Sequence, residues 1–284
     1  MTTTALPVQV EKLSPIRQFG WLLSDIRTIT WRNLMAITRI PEALFFSTLQ
    51  PIMFVLLFRY VFGGAITIPG ISYVDYLMPG IFVQTVCFGA VSTSIGLAED
   101  LHKGLIERFR SLPMASGAVL AGRTTADVVR NVFVIIVMTI VGYLVGFRVT
   151  TSALSFIAGC LVILLFAYGL SWGFAIIGLS APNSETAQVM SFPLLFPLTF
   201  ASSAFVPVSS MPSWLQGFAT YQPVSLAVDA ARWLMVGFQA KSPVPPYEVV
   251  GPTGTRAVWS TIAWSIGFVV VFSTLAVRKF RKSI

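Results

Sequence analysis

The chain has 284 residues, of which 55% are apolar and 11% charged, with a formal net charge of +8 and a mean hydropathy of +0.80. A soluble domain carries about 25% charged residues, and a soluble fold this apolar would leave large greasy patches in water, so the composition indicates a membrane protein and excludes a disordered one. Cys87 and Cys160 both lie inside long apolar runs, which excludes a disulfide scaffold, and the single histidine, His102, is too few for a multi-histidine metal site.

Residues 1–15 lack the apolar core of a secretory signal, so no cleavable signal peptide is expected. The N-terminal segment 1–42 contains an amphipathic stretch from Ser14 to Arg39. Ser14 suits a helix cap and Pro15 the first helical position. Phe19, Leu22, Ile26, Ile29 and Leu34 recur at helical spacing beside Trp21 and Trp31, with Arg17, Arg27 and Arg32 placed to reach headgroups. Such a helix lies in the membrane interface, either as a plain anchor or as a lever beside a partner. Pro41 then breaks it.

Residues 43–284 are expected to form one six-span domain. A bilayer core of about 30 Å needs roughly 20 apolar helical residues, and the runs 43–64, 76–98, 127–147, 153–179, 186–206 and 257–277 meet that need. They are continuously apolar rather than alternating, which favours helices over a barrel. Uncharged polar residues inside spans are candidates for a substrate pathway: Gln50 in the first, Gln84 and Thr85 in the second, Thr199, Ser202 and Ser203 in the fifth. The same residues also suit plain interhelical hydrogen bonding. With 23 phenylalanines in the chain, such a path suits an amphipathic or greasy cargo rather than an ion. Arg59 lies near the end of the first span and can snorkel to headgroups.

The loop 99–125 is the most informative stretch. Its first part is helical in character and Pro113 ends it, with Leu101, Leu105, Ile106 and Phe109 as one apolar stripe and Lys103, Glu107 and Arg110 elsewhere on the helix. It is either a solvated connector or a short amphipathic helix that docks in a groove on a soluble partner. Asp127 and Arg130, three apart, can pair at the start of the third span. The pairs Gly142/Gly146, Gly169/Gly173 and Ser92/Gly96 let helices approach closely, within one subunit or between subunits. Pro193 and Pro197 favour a bend in the fifth span. The segment 207–256 places Trp214, Leu215 and Phe218, then Ala227, Ala230, Ala231, Leu234 and Met235, at helical spacing. Short re-entrant helices are expected there, with Asp229 and Arg232 paired across one turn, followed by a loop containing Pro243, Pro245 and Pro246.

Basic residues set the direction. Lys12, Arg17, Arg27, Arg32 and Arg39 precede the first span, Lys103, Arg108, Arg110 and Arg123 separate the second and third, and Arg278, Lys279, Arg281 and Lys282 follow the sixth. In a six-span chain these share one side, while Arg148, Arg232, Lys241 and Arg256 lie opposite. The positive-inside rule puts both termini in the cytoplasm, in a multi-pass protein of the inner cell membrane. This placement also explains the net charge without nucleic acid.

The pattern Glu99…Gly104…Glu107-Arg108-Phe109-Arg110-Ser111-Leu112-Pro113 resembles the coupling segment of type-2 ABC exporter permeases. Phe192-Pro193 through Phe196-Pro197 to Phe205-Val206-Pro207, Met211-Pro212-Ser213-Trp214, Gln222-Pro223, Gln50-Pro51 and Tyr60-Val61-Phe62-Gly63 are similar to that family as well. The resemblance runs from about Arg32 to Val277 and is nearest to the daunorubicin-resistance permeases of actinobacteria. It implies an exporter whose coupling residues Glu99, Gly104, Leu105, Ile106, Glu107, Arg108, Phe109, Arg110 and Pro113 engage a separate ATPase. Two ATPase copies and a second permease subunit, identical or different, would complete the complex. ATP and magnesium would bind the partner rather than this chain, which contains no G-x-x-x-x-G-K-[ST] loop. The chain is then a transport subunit and not an enzyme. A drug or lipid exporter is expected first and a polysaccharide or lipid-linked glycan exporter second. A lipid-modifying enzyme would have to rely on His102 with Glu99 or Asp100, and a passive channel would need a charged ring or filter that the sequence does not contain.

Overall fold

The computed structural model describes residues 15–39, 41–105, 116–239, 252 and 254–282, and these form an all-helical bundle. In chain order the helices are α1 Pro15–Thr38, α2 Pro41–Leu56 with a π-helical continuation Leu57–Phe62, α3 Tyr73–His102, α4 Ser116–Val145, α5 Ala153–Gly178, α6 Ser184–Phe200, α7 Ser213–Tyr221, α8 Pro223–Val236 and α9 Gly254–Lys282. Helices α3, α4, α5 and α9 are long and apolar enough to cross a bilayer. Helix α2 with its π continuation occupies the first expected span, and α6 the fifth, where it stops at Phe200 instead of running to residue 206.

Side-chain caps explain several boundaries. Ser72, Ser152 and Asn183 accept the free backbone N–H groups opening α3, α5 and α6. Pro223 opens α8, and Gly237, in the left-handed region at φ 65°, closes it. Helix α4 begins at Ser116, well before the expected start at Asp127. Asp127 and Arg130 do pair, at 3.7 Å, but inside the helix rather than at its end, and Thr93 of α3 donates to the Asp127 carboxylate. Helix α6 continues through Pro193 and Pro197 to Phe200.

Helix α3 is the axis of the bundle. Leu77, Met78, Ile81, Phe82, Val83 and Val86 are fully buried, and α4, α5, α6 and α8 pack around it. Helix α9 lies against α5 and α8. Gly142 faces Met78, while Gly169 and Gly173 face Ser265, Phe268 and Phe272 of α9, so each of these glycines takes up a neighbour within this chain. At the basal end, where α3 stops and α4 starts, α1 lies along α4. Ile29 and Asn33 are buried there, and the Thr30 hydroxyl donates to the Gly122 carbonyl at 3.2 Å. Trp21 and Trp31 of α1 are exposed. Ser14, the expected cap of α1, lies outside the described residues.

At the capped end, α8 packs on α3 and α7 lies against α8. Tyr73 donates to the Phe205 carbonyl at 3.1 Å, and Thr150 of the α4–α5 connection to that of Val236 at 2.8 Å. Gly80 lets the backbone of 201–206 come close: a Cβ there would sit 2.3 Å from the Ala204 carbonyl oxygen. Backbone cannot rotate away, so Gly80→Ala is expected to lower stability by about 1–3 kcal/mol. Gly217 of α7 has nothing within 4 Å of its Cβ position, and Gly217→Ala is expected to be neutral or slightly stabilising. Melting temperatures of the two variants in detergent check the contrast.

Candidate functional site

A pocket of about 120 Å³ opens between α2, α3 and α4. Helical spacing builds each wall. Ser47, Gln50, Pro51 and Phe54 come from one face of α2, and Gln84, Thr85, Phe88 and Ser92 from one face of α3; α4 contributes Arg130, Asn131 and Val134. Gly89 forms part of the floor. A Cβ on it would meet the Asn131 amide oxygen at 2.6 Å and the Arg130 guanidinium at 3.2 Å, and its carbonyl accepts from Arg130 at 2.7 Å.

The polar groups of this pocket differ in what they have left to offer. Thr85 and Ser92 donate their hydroxyls to their own helix, at Ile81 and Gly89. Arg130 is committed to the Gly89 carbonyl and to Asp127. Gln84 and Asn131 are buried, 3% and 2% exposed, and the side-chain amide nitrogen of each has no hydrogen-bond partner among the described residues. A buried donor left unpaired costs about 1–3 kcal/mol. Two such donors in one pocket are a deliberate-looking expense in a protein interior, where such groups are normally paired.

Phenylalanines continue from the pocket. Phe88 meets Phe196 at 5.8 Å between ring centroids, Phe196 stacks on Phe200 at 5.4 Å, and Phe200 on Phe205 at 5.4 Å. Phe205 in turn stacks on Phe58 at 4.5 Å, and Phe54, on the pocket wall, reaches both Phe200 and Phe205. The result is an aromatic wall along α2 and α6, running toward the capped end. Phe196, Phe200 and Phe62 remain exposed on it.

Of the six polar residues singled out in the spans, the structure brings Gln50, Gln84 and Thr85 to the pocket. It takes Thr199, Ser202 and Ser203 elsewhere. Thr199 donates to Leu195 in its own helix, and Ser202, beyond the end of α6, donates back to the Thr199 carbonyl. Ser203 joins a buried cluster at the capped end. Its N–H donates to the Ser225 hydroxyl at 3.1 Å and its own hydroxyl to Asp229 at 2.9 Å. Arg232, 1% exposed, completes this cluster: it donates to Asp229 at 2.7 Å, to the Ser203 carbonyl at 2.8 Å and to the Tyr76 carbonyl at 3.2 Å. Its guanidinium lies 3.7 Å from the centroid of the Tyr76 ring. The expected Asp229–Arg232 pair therefore forms and clamps α8 onto α3. Burial pushes the Asp229 carboxyl above the usual carboxylate range, and Arg232 and Ser203 oppose that rise. Arg59 lies in the π-helical turn over the Tyr60 ring, at 6.0 Å.

Ser47, Ser92, Arg130 and Asn131 are the polar pocket residues that the polar-residue reading did not collect. Asp127, Arg130 and Asn131, at i, i+3 and i+4 in an otherwise apolar run, were the available signal.

At the basal end α3 finishes in an ordered stop. Lys103 and Gly104 donate to the carbonyls of Glu99 and Leu101, Gly104 adopts φ 66°, and the Glu99 carboxylate holds Lys103 at 2.6 Å. The Glu99 hydrogen bond and charge raise the pKa of the Lys103 ammonium. Asp100 binds Arg32 of α1 and Arg123 of α4, each at 3.4 Å, tying three helices together beside the turn. Leu105 is half-buried just past the turn. Ile106, Glu107, Arg108, Phe109, Arg110 and Pro113 lie outside the described residues.

The sequence profile of the ABC-2 type transporter family matches residues 24–236. The chain belongs to that family. The permease is 35% identical over 262 residues to the daunorubicin resistance ABC transporter permease protein DrrB1 of Streptomyces coeruleorubidus, covering 91% of this chain and 87% of the relative. It is 26% identical over 266 residues to the doxorubicin resistance ABC transporter permease protein DrrB of Mycobacterium tuberculosis, covering 94% and 89%. It is also 27% identical over 219 residues to the putative transport permease ycf38 of Pyropia yezoensis, covering 75% and 74%. The permease is thus a membrane protein of the same kind as drug-resistance ABC permeases, matched along nearly its whole length.

Proposed function

We propose that this permease is the membrane subunit of an ATP-driven exporter. It moves an amphipathic or hydrophobic compound, a drug or lipid, out of the cytoplasm or the inner leaflet of the inner membrane. Separate ATPase subunits, two copies with their ATP and magnesium, dock on the segment from Glu99 to Pro113, and a second permease subunit completes the path. The chain crosses the membrane six times, through α2 with its π continuation, α3, α4, α5, α6 and α9. Both termini and the basal end face the cytoplasm.

One observation carries this reading. A single helix, α3, bears the pocket residues Gln84, Thr85, Phe88 and Ser92 and ends in the turn at Gly104. The nineteen helical residues from Gln84 to His102 make a rod of about 28 Å. A push at the turn is therefore delivered to the pocket through a rigid element that Asp100 fastens to α1 and α4.

Affinity purification of the permease from its native membranes is expected to bring down an ATPase with a phosphate-binding loop. The joint complex, in inverted vesicles, is expected to accumulate daunorubicin only when ATP is supplied. Isolated permease that moves the compound unaided, or that never associates with a nucleotide hydrolase, overturns the reading.

A further inference from the structure

The two unpaired amides of the α2–α3–α4 pocket identify a ligand chemistry. Gln84 and Asn131 project donors into a space already closed on its other sides by Phe54, Phe88 and Val134. The Thr85 and Ser92 hydroxyls are spent on their own helix, and Arg130, the cation among the described lining residues, is held by Asp127 and by the Gly89 carbonyl. The pocket therefore offers N–H groups without a free charge. We propose that it is a recognition notch for a neutral hydrogen-bond acceptor, a ketone or amide carbonyl, on an aromatic cargo whose rings lie along the phenylalanine wall.

Size and geometry support the assignment. About 120 Å³ is too small for a whole drug-sized molecule but takes a carbonyl with the edge of an aromatic ring. Phe54 and Phe88 belong both to the pocket and to the wall, so a bound carbonyl and a stacked ring occupy adjoining space. A phosphate or carboxylate is disfavoured, because Asp127 already neutralises Arg130 and an added anion would lie buried beside that carboxylate. The notch deepens the export reading and rests on it for the word cargo. The binding chemistry itself rests only on the pocket.

Benzophenone tests the notch directly, since its carbonyl is both the acceptor and the photoreactive group. Irradiated with the permease in lipid nanodiscs, it is expected to label α2, α3 and α4 peptides lining the pocket. Fluorenone is expected to suppress that labelling, and fluorene, the same skeleton without the oxygen, is not. Gln84→Leu and Asn131→Leu are each expected to reduce labelling at the pocket about five- to ten-fold. Neither is expected to lower the melting temperature, because an unpaired amide is replaced by an apolar group of similar size. Labelling spread evenly over lipid-facing residues, equal competition by fluorene, or unchanged labelling in both variants overturns the proposal. A fall in melting temperature in both variants also overturns it, because the amides would then be serving the fold. If ATP-driven export persists while labelling never localises to the pocket, the notch fails and the export reading stands. If labelling localises but no ATPase associates with the chain, the export reading fails and the notch stands.

Discussion

Arg232→Met is expected to destabilise the permease by about 3–5 kcal/mol, the range for removing one partner of a buried ion pair. The side chain is 1% exposed and serves three elements at once. It binds Asp229 within α8, the Ser203 carbonyl after α6 and the Tyr76 carbonyl of α3, and it covers the Tyr76 ring. Methionine fills the volume but leaves two carbonyls and a carboxylate with fewer partners. Asp229 keeps 27% of its side-chain surface exposed, so water recovers part of the loss and the lower end of the range is expected. Arg232→Lys retains the charge but not the fork, and should fall between wild type and Arg232→Met. The double variant Arg232→Met with Asp229→Leu should be milder than the sum of its two single changes, since neither charge is then left alone. Thermal unfolding in nanodiscs measures all five proteins, wild type, Asp229→Leu alone and the three others. Strictly additive losses would show that the pair is not coupled and that the clamp is only a contact.

The arrangement of the capped end was only partly legible. Asp229 and Arg232 are three residues apart, and that spacing announces a local pair on any helix. Their joint hold on Ser203 and Tyr76 depends on contacts 29 and 156 residues away in the chain, which no local pattern encodes. The same limit explains Ser202 and Ser203. The apolar run through residue 206 reads as continuous span, yet the helix stops at Phe200 where hydrogen bonds from Ser202 to Thr199 and from Ser203 to Ser225 take over. At the basal end the opposite occurs. Residues 116–126 contain Arg123 and Thr124 and look too polar for a span, but Asp100 receives the arginine, α1 covers Gly122, and the helix extends unbroken to Ser116. The pocket was half legible for a further reason. Gln84 and Thr85 stand out in an apolar run, whereas Arg130 reads as half of a structural ion pair and Asn131 is not singled out. Only the close approach permitted at Gly89 turns them into a pocket wall.

Glu107→Ala combined with Phe109→Ala is expected to leave the permease in the membrane in normal amount while abolishing ATP-driven export. The requirement is set by the load. Moving a two-state protein from 1:99 to 99:1 takes about 5.5 kcal/mol of differential binding, and all of it must pass through the docked segment. In the proposed coupling, Leu105, Ile106 and Phe109 are the apolar side chains that an ATPase groove would grip, and Glu107 the charge that would fix their register. A joint that no longer docks delivers no stroke, so export should fall at least about ten-fold, the rate equivalent of only about 1.4 kcal/mol at the transition state. Asp100→Asn separates docking from transmission. It leaves the docking face intact but loosens α1 and α4 from the base of α3. That variant should still bind the ATPase with normal affinity and yet export less than wild type. The double variant should fail at the docking step itself, with loss of cargo-stimulated ATP hydrolysis. Normal hydrolysis and normal export by the double variant would place the joint somewhere other than the segment that follows Gly104.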